Sequence, residues 1–255
     1  MSLFKVPKTY SLLSIGQRGV GKTVFLAGSY AEFLANRQQY RSQQLWLDCQ
    51  ERQAQEAMNN LLRYIVQTGR YPPLTASITN FNFSLKQHRG EGEQTLCRFR
   101  WWDMPGELCS FDSSEFRQLV FSSHGCCVFI DAEALVYEPD YQLQLDRLME
   151  QVIPIIMLIH FNRLNYPVAL LLTKCDSLAN TAARQQLQEK IEMITNQWKL
   201  LEINHRTFCL EIPILNTEKG FSLQAKGTSQ VLLWLLSEIE KIAQKGQKLH
   251  STKVC

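Results

Sequence analysis

The stretch that decides the fold is GQRGVGKT (residues 16–23), which stands between two short apolar runs. The run before it, LLSI (residues 12–15), has the composition of a buried strand, and the run after it, VFLA (residues 24–27), opens a helical pattern. The pattern GxxxxGK[ST] between a strand and a helix is the signature of a phosphate-binding loop. The sequence therefore predicts a nucleotide site at this turn.

Each part of this loop has an expected chemical role. Its glycines let successive backbone N–H groups converge on phosphate oxygens, and the N-terminal end of the following helix adds a favourable dipole. Lys22 is expected to contact the β- and γ-phosphates as a point charge, while the Thr23 hydroxyl binds Mg²⁺. The expected nucleotide-binding residues of the loop are Gly16, Gly19, Val20, Gly21, Lys22, Thr23 and Val24.

A second motif, RFRWWDMPGE (residues 98–107), begins on a predicted strand and breaks at a Pro-Gly turn. An aspartate at the end of a strand beside a phosphate loop can hold a water on Mg²⁺, which makes Asp103 a metal-site candidate together with Thr23. A glycine just after it can bring its backbone N–H to the γ-phosphate, and Gly106 occupies that position.

The third motif, LLLTKCD (residues 170–176), is an apolar strand that ends in a carboxylate at the edge where α/β proteins bind ligands. Asp176 can accept two hydrogen bonds from N1 and N2 of guanine, while the aliphatic stem of Lys174 packs over the base. Adenine offers no such pair of donors. Thr173, Lys174 and Asp176 are therefore the candidates that select a guanine nucleotide.

Strand-like runs alternate with longer helical patterns along the chain, which indicates an α/β domain with a mainly parallel sheet and helices on both faces. Six strands are predicted, at residues 10–15, 78–87, 95–103, 126–131, 167–173 and 207–215. Helices are predicted at residues 22–36, 50–68, 113–121, 140–161, 181–201 and 229–244. The polar stretch HRGEGE (residues 88–93) predicts a hairpin turn, which makes one strand antiparallel.

The chain is expected to form a single domain over residues 1–245, with a helical insertion at about residues 41–70 and a flexible tail at 246–255. Gly69 stands where the inserted helix needs a C-cap glycine, just before Tyr71-Pro72-Pro73.

The overall composition narrows the class of protein. The chain has 255 residues, a net charge of +3, and 45% hydrophobic and 20% charged residues, without the basic blocks typical of nucleic-acid binding. Its eight cysteines form no CxxC pair, which favours a reducing compartment over disulfides or zinc. Since we also find no export signal and no apolar run of membrane-spanning length, we expect a cytoplasmic protein without an integral membrane segment.

The three motifs, in this order, resemble a Ras-like GTPase of the translation-factor-related class of P-loop proteins, over nearly the whole chain. The resemblance implies a P-loop NTPase with a Ras-like sheet, binding of GTP or GDP with Mg²⁺, and a nucleotide-dependent switch read by a protein effector or regulator. Asn is the commoner residue in that class where this sequence has Thr173.

Two further sites are carried over from the resemblance. A threonine before the second strand should engage the metal and the γ-phosphate, and YPPLTASITN (residues 71–80) offers Thr75, which we favour, and Thr79. A base-contacting loop should follow the sixth strand. Asn216 and Thr217 are its favoured candidates because they come directly after the predicted strand, and LQAKG (residues 223–227) is the alternative.

Hydrolysis is the open question of the sequence. Ras-like enzymes commonly carry Gln after the glycine of the second motif, and here Glu107 stands there. A carboxylate can orient water but places like charges beside the γ-phosphate, so we expect slow GTP hydrolysis with Lys22, Gly106 and Glu107 as the catalytic group. Arg18 can act in cis or point to solvent, and a partner or a homodimer can supply an arginine. The alternatives are a nucleotide-bound scaffold with little or no hydrolysis, and an ATP-using P-loop enzyme.

Overall fold

A computed structural model of the chain describes residues 7–39, 45–73, 77–89, 92–109, 112–161, 166–178, 180–218 and 220–251. The main sheet has seven strands in the spatial order β2-β3-β4-β1-β5-β6-β7. In chain order they are β1 (Thr9–Ile15), β2 (Leu45–Cys49), β3 (Thr79–Arg89), β4 (Gly92–Asp103), β5 (Gly125–Asp131), β6 (Val168–Thr173) and β7 (His205–Cys209). A separate two-stranded sheet pairs β8 (Ile214–Thr217) with β9 (Gly220–Leu223).

The sheet is mostly parallel, as the alternation of strands and helices predicts. β1 pairs in parallel with β4 and with β5, and the β5–β6 and β6–β7 pairs are parallel too. β3 is antiparallel to both of its neighbours, so it alone among the seven strands runs against the others. Arg89 pairs with Gly92, which confirms the predicted hairpin between β3 and β4.

Helices cover both faces of the sheet, also as predicted. Their bounds are α1 (Lys22–Gln39), α2 (Arg52–Thr68), α3 (Ser114–Ser122), α4 (Ala132–Tyr137), α5 (Tyr141–Phe161), α6 (Thr181–Leu200) and α7 (Thr228–Ser251). One core lies between the sheet and α1, α2 and α7, and a second lies between the sheet and α3 to α6. β5 and β6 are buried along their whole length, because side chains on both of their faces enter a core.

The prediction of six strands is wrong in two places. The inserted segment contains the edge strand β2 as well as a helix, and β2 pairs with β3. The strand predicted over residues 207–215 ends at Cys209, and its last two residues belong to β8. The chain leaves the sheet there because Leu210 makes its last ladder bonds to the end of β6, and Pro213 lacks an N–H with which to continue a strand.

Two helix predictions also change. The helix predicted from residue 140 is preceded by the separate helix α4, whose N-cap is Asp131. The last helix continues to Ser251, so residues 246–251 of the predicted tail are helical, while residues 252–255 lie outside the described part of the chain.

The end of the inserted helix α2 confirms the predicted glycine cap. Gly69 has a φ of +64°, and its N–H donates to the Ile65 carbonyl oxygen at 2.9 Å. The cap lies against the β8–β9 hairpin, since a Cβ atom at Gly69 would lie 2.7 Å from carbons of the Phe221 ring. The insertion and the hairpin therefore pack on one another.

Replacing Gly69 with Ala should destabilise the protein by about 2 kcal/mol, because the residue must keep a left-handed backbone and the new methyl group meets the Phe221 ring. The matched control is Gly92→Ala, whose added Cβ has no described atom within 4 Å. Urea denaturation of both variants measures the difference. Equal midpoints for the two variants would contradict the packing of Gly69 on the hairpin.

Candidate functional site

The predicted phosphate-binding loop, residues 16–23, joins the end of β1 to the start of α1, which is the place that the sequence predicts. Gly19 and Gly21 have φ values of +79° and +93°, a backbone conformation that side chains disfavour. The α1 helix begins at Lys22, so the positive end of its dipole faces the loop. A turn of this kind can present several backbone N–H groups to one anion.

Lys22 is held inside the loop. Its side chain is 7% exposed, and its Nζ atom donates hydrogen bonds to the carbonyl oxygens of Gly16 at 2.8 Å and Gln17 at 2.7 Å. These bonds satisfy much of the ammonium group while keeping its charge at the centre of the loop. The position fits an ammonium that contacts a bound phosphate.

Thr23, at the start of α1, and Asp103, at the end of β4, are in direct contact. The Thr23 hydroxyl donates a hydrogen bond to Asp103 Oδ2 at 2.6 Å, and Asp103 is 1% exposed. The end of β4 is fixed on β1 by the Ser14 hydroxyl, which donates to the Trp102 carbonyl oxygen at 2.8 Å. A hydroxyl beside a carboxylate is the oxygen donor set that Mg²⁺ prefers, so these residues fit the ion.

The described residues contain no group of three or more His, Cys, Asp or Glu side chains that could hold a metal by themselves.

The turn after β4 lies directly on the phosphate-binding loop. A Cβ atom added to Gly106 would lie 2.5 Å from the Arg18 backbone nitrogen and 2.6 Å from the Gln17 carbonyl carbon. Only glycine allows the two backbones to approach this closely. Glu107 follows in a short 3-10 turn, Gly106–Leu108, and its side chain is outside the described part of the structure.

The motif at the end of β6 reaches the same loop. The Thr173 hydroxyl, on a residue that is 3% exposed, donates to the Val20 carbonyl oxygen at 2.8 Å and lies 3.2 Å from the Ile130 carbonyl oxygen. Lys174 has a φ of +57° and forms an ion pair with the buried carboxylate of Asp131. Asp176 is exposed at the rim. Thr173 thus joins the third motif to the first.

All three motifs line one cleft of about 290 Å³. Its lining residues from the motifs are Arg18, Gly19, Gly21, Lys22, Thr23, Val24, Met104, Pro105, Gly106, Thr173, Lys174 and Asp176. The cleft is completed by Tyr71, Pro72, Pro73 and Ile212, which the sequence analysis did not select.

Tyr71 and Ile212 join two distant parts of the chain at the cleft. The Tyr71 hydroxyl donates a hydrogen bond to the Ile212 carbonyl oxygen at 3.0 Å, and the side chain is half-exposed. Burial raises the pKa of Tyr71, and the negative charge of Asp176 raises it further, which places the tyrosine in the field of that carboxylate. No local signal in the sequence pairs this tyrosine with Ile212, which lies 141 residues further along the chain.

The residues predicted to contact the base do not belong to the described lining of the cleft. Asn216 and Thr217 lie within β8, exposed, and neither is among the described residues that line the cleft. The segment that directly follows β7 is residues 210–213, and it contributes Ile212. The alternative segment, residues 223–227, pairs with this one, since the Lys226 N–H donates to the Glu211 carbonyl oxygen at 2.9 Å.

The candidate switch threonines have different outcomes. Thr75 lies outside the described residues. Thr79 is the first residue of β3 and pairs in register with Asp103. Thr79 is not among the described lining residues of the cleft, and neither is Arg70, whereas Arg18 is.

Replacing Thr173 with Val should lower nucleotide affinity about fivefold to tenfold, because the variant keeps the shape but loses the hydroxyl that holds the Val20 carbonyl. Thr173→Ser, which keeps the hydroxyl, is the control. Calorimetric titration of a nucleotide measures both variants. If Thr173→Val and Thr173→Ser bind the nucleotide with equal affinity, this hydrogen bond does not support the loop.

Comparison with known proteins adds no family assignment, since no family model and no curated protein sequence matches the chain. In the part of the chain that the structure describes, no helix has both the length and the apolar character required to cross a bilayer.

Proposed function

We propose that this chain is a regulatory switch of the Ras-like type, which binds GTP or GDP with Mg²⁺, hydrolyses GTP slowly and signals to a protein partner. The observation that carries the proposal is the meeting of the three motifs in one cleft. The phosphate loop, the turn at residues 104–106 that follows Asp103, and the end of β6 with Thr173, Lys174 and Asp176 lie far apart in the sequence and line the same cavity.

The place of the cleft in the sheet supports a nucleotide site. Ligands of open α/β sheets bind outside the carboxyl ends of the strands, at the point where the strand order reverses. Here the chain passes from β1 to one side of the sheet, through β4, and then to the other side with β5. The phosphate-binding loop follows β1 at this position.

Different residues of the cleft would contact different parts of a bound nucleotide. The loop backbone and Lys22 would hold the phosphates, and Thr23 and Asp103 would hold Mg²⁺. The ion, when bound, supplies positive charge that offsets the phosphate oxygens. Asp176 would accept hydrogen bonds from N1 and N2 of guanine, a pair of donors that adenine lacks.

The turn at Gly106 is the candidate switch. Because it packs on the backbone of Arg18 and Gln17, a terminal phosphate in the loop would bear directly on its position. A partner that contacts the turn after β4 would then distinguish the two nucleotide states.

Base selectivity is the first test. Wild-type protein titrated with GTP, GDP and ATP in the presence of Mg²⁺ should bind the guanine nucleotides at least about 100-fold more tightly than ATP, the effect expected for two hydrogen bonds to a charged group. Equal affinity for GTP and ATP would overturn the proposal and favour an ATP-using enzyme.

Single-turnover hydrolysis of bound GTP is the second test. We expect slow phosphate release, and Glu107→Gln should accelerate it at least about tenfold, because an amide orients water without adding negative charge near the γ-phosphate. If bound GTP stays intact for hours, with or without a cell lysate, the protein is a nucleotide-bound scaffold and not a GTPase. Guanine binding would still stand.

A further inference from the structure

Two cysteines meet beside the base end of the cleft. Cys209 is the last residue of β7 and pairs in register with Leu172 of β6, while Cys175 lies just beyond the end of β6. The Cys175 N–H donates to the Leu210 carbonyl oxygen at 3.2 Å, and the Leu210 N–H donates to the Leu172 carbonyl oxygen at 2.8 Å. These bonds hold the two cysteines side by side, close enough for each thiol to shift the pKa of the other.

The two thiols have unequal access to solvent. Cys209 is exposed, whereas Cys175 is buried with its Sγ atom 3.2 Å from the Leu172 carbonyl oxygen. Of the cysteines in the described ranges, Cys209 is the exposed one, and Cys49 is half-buried. A reagent in solution therefore meets Cys209 before it meets Cys175.

The charges around the pair favour a thiolate on Cys209. Interaction with the neighbouring Cys175 thiol lowers the pKa of Cys209 to about 7, Arg184 lowers it further, and desolvation and Glu211 oppose these effects. The same interaction, with burial, raises the pKa of Cys175, so that thiol keeps its proton. In contrast, burial raises the pKa of Cys49 to about 11.

We propose that Cys209 is a site of oxidative modification by hydroperoxides, and that Cys175 converts the modified residue into an intramolecular disulfide. The Cys209 thiolate attacks one peroxide oxygen, the O–O bond breaks, and hydroxide or an alkoxide leaves, which gives a sulfenic acid. The Cys175 sulfur then attacks the Cys209 sulfur, its proton goes to the departing hydroxyl, and water is released. The two cysteines are oxidised and the peroxide is reduced.

The disulfide would change the base end of the cleft. A disulfide requires an S–S distance of about 2.05 Å, which is shorter than any non-bonded contact between two thiols, so closing it would draw the 3-10 turn Cys175–Ser177 toward β7. Asp176 lies in this turn and would move with it. This consequence rests on the proposed function, and we expect guanine-nucleotide affinity to fall about tenfold on oxidation.

The modification itself can be tested without any nucleotide. The background is the full chain with Cys255→Ser, since Cys255 lies outside the described residues. After treatment with hydrogen peroxide and alkylation of the remaining thiols, peptide mapping should find residues 175 and 209 in one disulfide-linked pair. With Cys175→Ser, dimedone should instead trap a sulfenic acid on Cys209. Cys49→Ser is the control and should leave the linkage unchanged.

The rate of thiol labelling gives an independent measurement. Iodoacetamide should alkylate Cys209 at least about tenfold faster than Cys49 at neutral pH. The rate should rise with pH and reach half of its maximum near pH 7, because the thiolate is the reactive form. Arg184→Gln should move this midpoint to higher pH by removing a charge that stabilises the thiolate.

Absence of the 175–209 linkage after peroxide treatment, or labelling of Cys209 no faster than that of Cys49, would overturn the proposal. If the linkage forms and nucleotide affinity changes less than about twofold, the modification site stands and its coupling to the cleft is wrong. If the reduced protein binds no guanine nucleotide while the linkage forms, the proposed function fails and the modification site stands.

Discussion

Replacing Asp176 with Asn should lower the affinity for GTP about 100-fold and raise the affinity for the corresponding xanthine nucleotide. The carboxylate is expected to accept hydrogen bonds from N1 and N2 of guanine, and losing them costs about 3 kcal/mol because the acceptor is charged. Xanthine carries an oxygen at C2 in place of the amino group, and the amide of Asn can donate to it. The exchange of base preference separates a specific contact from general damage to the fold.

The measurement is a titration of GTP, xanthosine triphosphate and ATP against wild type and Asp176→Asn. The control is Asp140→Asn, which removes one exposed carboxylate that does not line the cleft. This control should leave all three affinities unchanged. If GTP binding to Asp176→Asn equals that of wild type, Asp176 does not contact the base and the guanine assignment is wrong.

Most of the cleft follows from local sequence because each motif is a turn at the end of a strand. β1, β4 and β6 end at the same edge of the sheet. The turns that follow them contain the glycines of the phosphate loop, the Pro105-Gly106 pair and the left-handed Lys174. Their convergence is therefore predictable from the strand order alone. The fully buried strands β5 and β6 are also predictable from local sequence, because an apolar run of that length between turn signals is typical of a buried strand.

The errors lie where the structure depends on contacts between distant residues. β2 is a five-residue edge strand whose one partner among the described strands is β3, and its short run LWLDC carries no periodicity strong enough to identify it. The segment after β7 is another case. Its apolar residues continue the strand pattern past Cys209, but the backbone of Leu210 bonds to the end of β6 and turns the chain toward the cleft.

The position of Tyr71 in the lining of the cleft could not be predicted for a related reason. Its hydroxyl bonds to the Ile212 carbonyl oxygen, 141 residues further along the chain. No local pattern connects an aromatic residue after the α2 cap with a loop after β7. Ile212 thus lines the cleft through a contact that only the folded chain makes, whereas Asn216 and Thr217, the residues predicted to contact the base, are not among its described lining residues.

Replacing Lys22 with Ala should lower the affinity for GTP and GDP at least about 100-fold, the largest effect we expect from any single substitution in the loop. The ammonium group is buried and held by the Gly16 and Gln17 carbonyl oxygens, so its charge lies at the centre of the loop without the mobility of a surface lysine. Charge-assisted contacts of this kind contribute about 3 kcal/mol when a phosphate replaces water.

The matched control is Lys190→Ala. Lys190 also donates from its Nζ atom to a backbone carbonyl oxygen, that of Leu135 at 2.7 Å, and it does not line the cleft. Lys22→Ala loses two ammonium-to-carbonyl hydrogen bonds and Lys190→Ala loses one, so both should lower the midpoint of thermal unfolding without nucleotide, Lys22→Ala somewhat more. Added GTP should raise the midpoint of wild type and of Lys190→Ala but not that of Lys22→Ala, because only a state that binds the ligand is stabilised by it. If GTP raises the midpoint of Lys22→Ala as much as that of wild type, the phosphates are not bound in this loop, and the guanine site would have to lie elsewhere on the chain.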